Sequence, residues 1–370
     1  MSQQSRRRPV LASLGATVVA GLSGCVGSVG EQIGTEDDSE EPTETPTEEP
    51  TETPEPEPDE SIHSGESIPT YPYADTGTEP LNPRPDDAAD NPVLTADDID
   101  DYDASFVADP TLYIEDDEWH MFFEVSADGR GRIAHAVSDD AGESWEYDQV
   151  VLNLRHHVSG PYVFKWDGEY YMTTQANPRT RPVMLFKANV FPHDWYRAAE
   201  LYDPDQYDHG VTDHALFRWD DTWWNIAGDE RRHTYLYYSE ELEASDWQPH
   251  EENPVVEDRP AASRPGGRPI VRDDDVLAFF QSQVGGFGME VNAYRITELT
   301  PSAYADTEHP ASPILTGTET LDQHDEPTWN SYRMHRYDPW YLGDGEGWRA
   351  VVDGDDGNDD WKIGVYHVRE

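Results

Sequence analysis

From about residue 91 onward, the chain alternates apolar and polar positions in short runs, a pattern typical of β-strands. Tight turns rich in Asp and Gly join these runs into hairpins. The hairpin pattern occurs five times, and its first four copies start 51 to 54 residues apart. The five copies begin at Asp109, Gly160, Asp213, Gly267 and Asp338. This spacing predicts repeated units that bury their apolar faces against one another.

A second pair of β-like runs follows each of the first four hairpins, so that each complete unit holds four strands. Four antiparallel strands per unit form the blade of a β-propeller. The sequence therefore predicts an all-β fold, a five-bladed β-propeller over residues 91–370. The fifth unit ends after its third strand, whereas Asn91 to Thr95 resembles the fourth-strand runs of other units. We expect residues 91–95 to close the ring as the outer strand of blade five, covering its exposed edge.

The residues before the propeller predict export and anchoring. Residues 1–24 combine Arg6 to Arg8 with an apolar run too short to span a membrane, which is typical of a twin-arginine signal peptide. Leu22 to Cys25 resembles a lipobox, and Cys25, the only cysteine, is predicted to carry lipid; the alternative is a chance cysteine in an ordinary signal. Residues 25–90 are rich in Glu, Thr, Pro and Asp, which predicts a disordered acidic stalk. We therefore expect an extracellular protein, lipid-anchored to the outer face of the cell membrane.

The net charge of −52 is the outstanding feature of the composition, since 77 acidic residues face only 25 basic ones. Such a surface disfavours nucleic acid as a partner and leaves the lipid as the only expected membrane contact. Adaptation to high salt explains this acidity, because molar salt screens charge repulsion beyond ~3 Å. The charge therefore indicates habitat more than function.

Candidate chemistry lies where the innermost strands line the propeller axis. Asp109 and Asp213 start first strands, and Glu124 ends a second strand at the same end. Neighbouring carboxyl groups raise each other's pKa, as acid/base catalysis on a glycosidic bond requires. Asp109 and Asp213 also interrupt strongly apolar runs, although Asp is common in this chain and structural roles remain open.

Candidate substrate-binding residues surround the same axis. Two arginines in the motif RPGGRP either neutralise the axial acids or hold an anionic group of a substrate. The histidine that enters blade five is either a ligand-binding or a structural residue. The substrate-binding candidates are Arg264, Arg268, His335, Gln281 and Asp229. No cofactor and no catalytic metal are predicted, and a structural cation such as Ca²⁺ in the central cavity is left open.

Several motifs carry a resemblance to known families. Ala108-Asp109-Pro-Thr-Leu, Met121-Phe-Phe-Glu124-Val, Ser263-Arg264-Pro-Gly-Gly-Arg268-Pro and Trp329-Asn-Ser-Tyr-Arg-Met-His335 resemble the N-terminal domain of glucosamine inositolphosphorylceramide transferases, a domain that also occurs alone in prokaryotes. More distantly, the blade order resembles the five-bladed glycoside hydrolases of families 43, 32, 62 and 68. Both resemblances imply a five-bladed propeller that acts on or binds carbohydrate.

The resemblance to family 43 implies roles for three positions. It places Asp109 as general base and Asp213 as the acid that orients the site and tunes its pKa values. The general acid that opens blade four in that family is replaced by Gly267, so Glu124 or Glu230 must supply the proton, or hydrolysis does not operate. The leading hypothesis is an extracellular glycoside hydrolase-like enzyme with Glu124 as proton donor. The alternative is a non-catalytic glycan-binding propeller.

Overall fold

The computed structural model describes residues 78–176, 183–201, 210–272, 275–317, 328–343 and 345–369. These residues form five antiparallel sheets that follow one another along the chain, which confirms the predicted all-β, five-bladed propeller. The predicted signal peptide, Cys25 and the stalk up to residue 77 lie outside the described residues. Within the described ranges, no helix is long and apolar enough to cross a membrane.

Two short elements precede the first blade, and the first three blades then hold four strands each. The short elements are β1 (Arg84–Pro85) and a 3₁₀ helix (Ala96–Asp98). Blade one contains β2 (Ala104–Glu115), β3 (Glu118–Ala127), β4 (Arg130–Ser138) and β5 (Glu146–Leu152). Blade two contains β6 (Val158–Trp166), β7 (Glu169–Ala176), β8 (Met184–Val190) and β9 (Asp194–Glu200). Blade three contains β10 (Thr212–Trp219), β11 (Thr222–Gly228), β12 (Thr234–Ser239) and β13 (Gln248–Pro249).

The last two blades depart from this simple order. Blade four has a divided inner strand and a divided outer strand, and blade five takes β1 as its outermost strand. The strands of blade four are β14 (Arg264–Pro265), β15 (Ile270–Val271), β16 (Val276–Gln281), β17 (Glu290–Thr300), β18 (Ala303–Glu308) and β19 (Leu315–Thr316). Those of blade five are β20 (Tyr337–Gly343), β21 (Gly347–Gly354) and β22 (Lys362–Val368).

The outer edge of blade five is covered by chain from the N-terminal side. Arg84 and Pro85 pair with β22, and further along Leu94 exchanges backbone hydrogen bonds of 3.3 and 2.9 Å with Ile363. Within residues 91–95, Leu94 forms an isolated bridge rather than part of a continuous ladder, because Pro92 has no N–H to donate. The edge is therefore covered by a longer segment than residues 91–95.

Residues 78–90, expected to belong to the stalk, pack against the propeller. Leu81 is 6% exposed and lies in an apolar cluster with residues of blades four and five. Glu79 binds Arg272 and Arg295 of blade four. Leu81 and Glu79 thus attach this Pro- and Asp-rich segment to the propeller, and the packed domain begins before residue 91.

Candidate active site at the propeller axis

The inner strands of blades one to three share an unusual backbone conformation at one residue each. Asp109, Gly160 and Asp213 have φ values of 54°, 55° and 53°, and the register of each inner hairpin shifts at this point. This left-handed region suits glycine and disfavours most side chains, although Asp is among the more tolerated. Gly160 meets the backbone requirement without a carboxylate, whereas Asp109 and Asp213 place a buried carboxylate at the equivalent point of blades one and three.

Asp109 is 6% exposed and its carboxylate has two partners. The amide of Gly160 donates to Oδ2 at 3.0 Å, and Nε2 of His335 lies 3.2 Å from Oδ1. Burial by itself raises the pKa of Asp109, but the hydrogen bond and charge of His335, with Arg336 and the Gly160 amide, outweigh burial and hold this pKa well below its ordinary value. Asp109 is therefore ionised at neutral pH.

His335 lies between two carboxylates. Its Nδ1 is 2.9 Å from Oδ1 of Asp353, and its Nε2 faces Asp109. Burial opposes the charged form, but Asp353 and Asp109 outweigh it and raise the pKa of His335 to about 10. The imidazole is thus a buried cation at neutral pH, placed between the inner ends of blades one and five.

The side-chain atoms around His335 could in principle bind a structural cation such as Ca²⁺ at the propeller axis, and their chemistry decides whether Ca²⁺ fits there. Side-chain atoms of Asp109, His335 and Asp353 lie close enough together to hold an ion. However, N–H groups already bind these carboxylates, because Asp353 accepts from the amides of Asp109 at 2.9 Å and Arg336 at 2.9 Å. Ca²⁺ requires six to eight oxygen ligands, so this arrangement fits a protonated imidazole better than Ca²⁺.

Glu124 provides a second buried carboxyl group, whose pKa is shifted in the opposite direction to that of Asp109. It lies on β3 opposite Ala108 and is 5% exposed. Its Oε1 is buried without a hydrogen-bond partner among the described residues, and Nε2 of His157 is 3.7 Å away. Burial, followed by the charge of Asp109, raises the pKa of Glu124 well above its ordinary value. Glu124 therefore keeps its proton to a higher pH than an ordinary glutamate does.

Gly131 makes room for the Glu124 side chain. A Cβ at this position would lie 2.3 Å from Oε1 of Glu124 and 2.4 Å from the carbonyl oxygen of Val158. The amide of Gly131 also donates to Nδ1 of His157 at 2.9 Å, which directs the opposite ring nitrogen toward the acid. The absence of a side chain at Gly131 thus leaves room for the Glu124 carboxyl group next to the backbone of β4 and β6.

Asp213 forms the second half of the site with three side chains. Nε of Arg264 and Nε2 of Gln281 donate to Oδ2 at 2.5 and 2.9 Å. Nε2 of Gln175 donates to Oδ1 at 3.2 Å and to the hydroxyl of Ser159 at 3.1 Å. Blade two therefore connects both halves, since Ser159 precedes the glycine that binds Asp109.

An aromatic side chain joins the two halves from the loop between β16 and β17. The ring of Phe287 is 39% exposed and its centroid is 5.0 Å from that of His335. The guanidinium carbon of Arg264 lies 4.7 Å from the same ring centroid. Sequence reasoning missed Phe287, as it missed His157 and Arg336, although the glycines around Phe287 suggested an exposed loop.

Two predicted substrate-binding residues are engaged elsewhere. The Arg268 side chain is 0% exposed and binds Asp338 at 3.0 Å and the carbonyl of Leu112 at 2.6 Å, so we assign it a structural role between blades. Asp229 is 2% exposed and accepts from the amides of Arg231 and His233 at 2.8 and 2.9 Å, which stabilises its own turn. Both side chains are buried and bind partners within the fold, and we leave both out of the candidate site.

Gly267 lies between β14 and β15 of blade four, at the position where the resemblance to family 43 implied a general acid. A Cβ there would lie 1.8 Å from the carbonyl oxygen of Tyr337. The position therefore admits no side chain, and any proton donor must come from another strand.

The fold is shared with solved glycoside hydrolases. The catalytic domain of the GH62 α-L-arabinofuranosidase of Coprinopsis cinerea matches with a TM-score of 0.55 and 12% identity, over 72% of this chain and 92% of that one. The class defined by this likeness and by the axial carboxylates is that of five-bladed propellers related in fold to glycoside hydrolases.

The family is shown by sequence. The family model described as glucosamine inositolphosphorylceramide transferase 1, N-terminal, matches residues 80–355, and the chain belongs to this family. Relatives named glucosamine inositolphosphorylceramide transferase 1 are 33% identical over 276 residues in Oryza sativa subsp. indica and 28% identical over 259 residues in Arabidopsis thaliana. These matches cover 72% and 68% of this chain and 35% and 32% of the relatives, so the chain spans about a third of their length. The resemblance to this family is thereby confirmed.

Proposed function

We propose that the chain is a glycan-acting propeller whose axial site cleaves a glycosidic bond by acid/base chemistry. One feature carries this proposal: two buried carboxyl groups on adjacent strands, Asp109 and Glu124, have pKa values shifted in opposite directions, that of Asp109 lowered and that of Glu124 raised. Glycosidases need such a pair, because one carboxylic acid protonates the leaving oxygen while one carboxylate acts on water or on the sugar.

The contacts support a role for each residue. Glu124 donates the proton, since burial and the charge of Asp109 raise its pKa and its Oε1 has no hydrogen-bond partner among the described residues. Asp109 remains ionised, positions the attacking water and stabilises positive charge that develops on the sugar ring. Asp213, held by Arg264 and Gln281, orients the substrate. Phe287 offers an apolar face to a sugar, and Arg264 beside it suits an anionic substituent.

Turnover of a defined glycan panel tests this proposal. Neutral, amino and anionic oligosaccharides, including inositol phosphate glycans suggested by the relatives' name, are incubated in molar KCl with wild type and Asp109→Asn. Asp117→Asn is the matched control, because Asp117 is an exposed residue of the same blade that also has positive φ, at 64°. We expect product with wild type and Asp117→Asn and none with Asp109→Asn. Turnover that persists in Asp109→Asn would refute the proposed role.

A non-catalytic glycan-binding function is the second candidate, favoured by the absence of any side chain at Gly267. A binding domain tolerates this loss, whereas an enzyme must recruit its acid from another strand. Calorimetry with the same panel separates the two functions: binding without turnover by wild type would favour the binding function.

We also propose that the protein is exported by the twin-arginine route and lipid-anchored through Cys25 outside the cell. The signal-like residues 1–24 and the acidic segment that follows support this location. Replacement of Cys25 by Ser is expected to release the folded domain into the medium. Retention of Cys25→Ser in the membrane fraction would contradict the anchor.

A further inference from the structure

Three histidines and one aspartate form a cluster where blade one meets blade two, separate from the axial residues described above. His120 lies on β3, His135 on β4, Asp148 on β5, and His193 in the turn between β8 and β9. We call these four residues the histidine cluster. His135 is 1% exposed, whereas the side chains of Asp148 and His193 are 31% and 44% exposed. The cluster thus has a buried end and an end open to solvent.

Two imidazoles meet one carboxylate oxygen at the open end. Oδ2 of Asp148 is 2.8 Å from Nδ1 of His135 and 2.7 Å from Nε2 of His193. These three atoms lie within 4.8 Å of one another and come from two blades. Two imidazole nitrogens with a carboxylate oxygen form a donor set typical of zinc, whereas Ca²⁺ and Mg²⁺ prefer oxygen ligands.

His120 supports this donor set from the buried end. Its Nδ1 is 3.0 Å from Nε2 of His135, and the two rings stack with centroids 5.2 Å apart. When Nδ1 of His135 acts as a ligand, Nε2 of the same ring carries the proton. This N–H group then donates a hydrogen bond to Nδ1 of His120. Such a partner behind a metal-binding histidine fixes its tautomer and orientation.

We propose that Nδ1 of His135, Asp148 and Nε2 of His193 bind one Zn²⁺ ion, with a water as fourth ligand, and that this ion links blade one to blade two. Ligand atoms at ~2.0–2.1 Å from tetrahedral zinc are ~3.3 Å apart, so the rings must separate from Asp148 by roughly half an ångström. His193 can make this movement because it lies in an exposed turn. Protonated His193 bound directly to Asp148 is the competing arrangement.

Metal titration of the full chain distinguishes these arrangements. The chelator-treated protein is titrated with Zn²⁺ by calorimetry, and with Co²⁺ by visible absorption, in molar KCl with excess Mg²⁺ to occupy surface carboxylates. We expect one tight equivalent and a tetrahedral Co²⁺ spectrum. His120→Gln should weaken binding by about 10–100-fold, as for other second-layer residues, and His193→Gln by at least as much.

His309→Gln is the matched control, because Nε2 of His309 lies 3.5 Å from Glu79 in a pair that lacks a second histidine. This variant should bind Zn²⁺ as wild type does. Near-ultraviolet circular dichroism without metal verifies folding, and the exposed His193→Gln decides the result if the buried His120→Gln variant unfolds. Equal affinity and stoichiometry in wild type and His193→Gln would overturn the proposal, as would the absence of any tight equivalent in wild type.

Discussion

Replacement of the buried cation His335 by Gln should destabilise the domain in a pH-dependent manner. The pKa of His335 is raised from 6.5 to about 10, and each pKa unit corresponds to about 1.4 kcal/mol of stability. The shift therefore predicts a contribution of roughly 3–5 kcal/mol, in the range expected for loss of one partner of a buried ion pair. Gln preserves much of the side-chain volume, so charge is the main property removed.

The sign of the pH effect follows from the direction of this shift. A group whose pKa is raised by folding stabilises the protein fully below its unfolded pKa, here 6.5, and loses this effect as pH rises through about 10. Gln has no charge at any pH. The difference in unfolding free energy between wild type and His335→Gln should therefore be largest below pH 6.5 and shrink steadily toward pH 10.

Urea unfolding at constant molar KCl, followed by Trp fluorescence across this pH range, measures the difference. His309→Gln serves as control, because burial lowers the pKa of His309 and the wild-type ring is already neutral above pH 6.5. The unfolding free energy of His309→Gln plotted against pH should run parallel to that of wild type. A His335→Gln difference that stays constant with pH, or stays below about 1 kcal/mol at neutral pH, would refute the assignment of His335 as a buried imidazolium.

Three further predictions concern packing and binding. Gly131→Ala places a Cβ 2.3 Å from Oε1 of Glu124 and should lower stability by roughly 1–3 kcal/mol in urea; an unchanged midpoint would contradict this close contact. Arg268→Met leaves Asp338 buried without its charge partner and should lower the free energy of unfolding by roughly 3–5 kcal/mol in the same assay; an unchanged free energy would contradict this. Phe287→Ala should preserve the urea midpoint and weaken glycan binding by about 0.5–1.5 kcal/mol in calorimetry; equal affinity would exclude the ring from the binding surface.

The repeated hairpins predicted the fold because each blade carries its own local signal. Each repeat of about fifty residues contains its own alternating apolar positions and Asp- or Gly-rich turns, and each repeat corresponds to one of the five sheets. Residues 78–90 could not be assigned in this way, because Leu81 and Glu79 bind partners far along the chain. Their Pro- and Asp-rich surroundings resemble the preceding acidic segment.

Site residues could be predicted where a charged residue interrupted an apolar strand. Asp109 and Asp213 stood out as acids within apolar strands, and the structure places both at left-handed positions. Arg264 and Arg268 share one motif, yet the inner strand of blade four is interrupted between Pro265 and Ile270, so that the first arginine binds Asp213 and the second lies between blades. Sequence spacing does not show such an interruption.

The protonation state of Glu124 tests the central claim most directly, because it requires no knowledge of the glycan. Infrared difference spectra between wild type and Glu124→Gln at neutral pH report whether this carboxyl carries a proton. We predict a protonated carboxylic C=O band that is present in wild type and absent from Glu124→Gln, as expected for a pKa raised well above its ordinary value by burial and the charge of Asp109. A difference spectrum that contains only carboxylate bands would show that Glu124 is ionised and would contradict its role as proton donor.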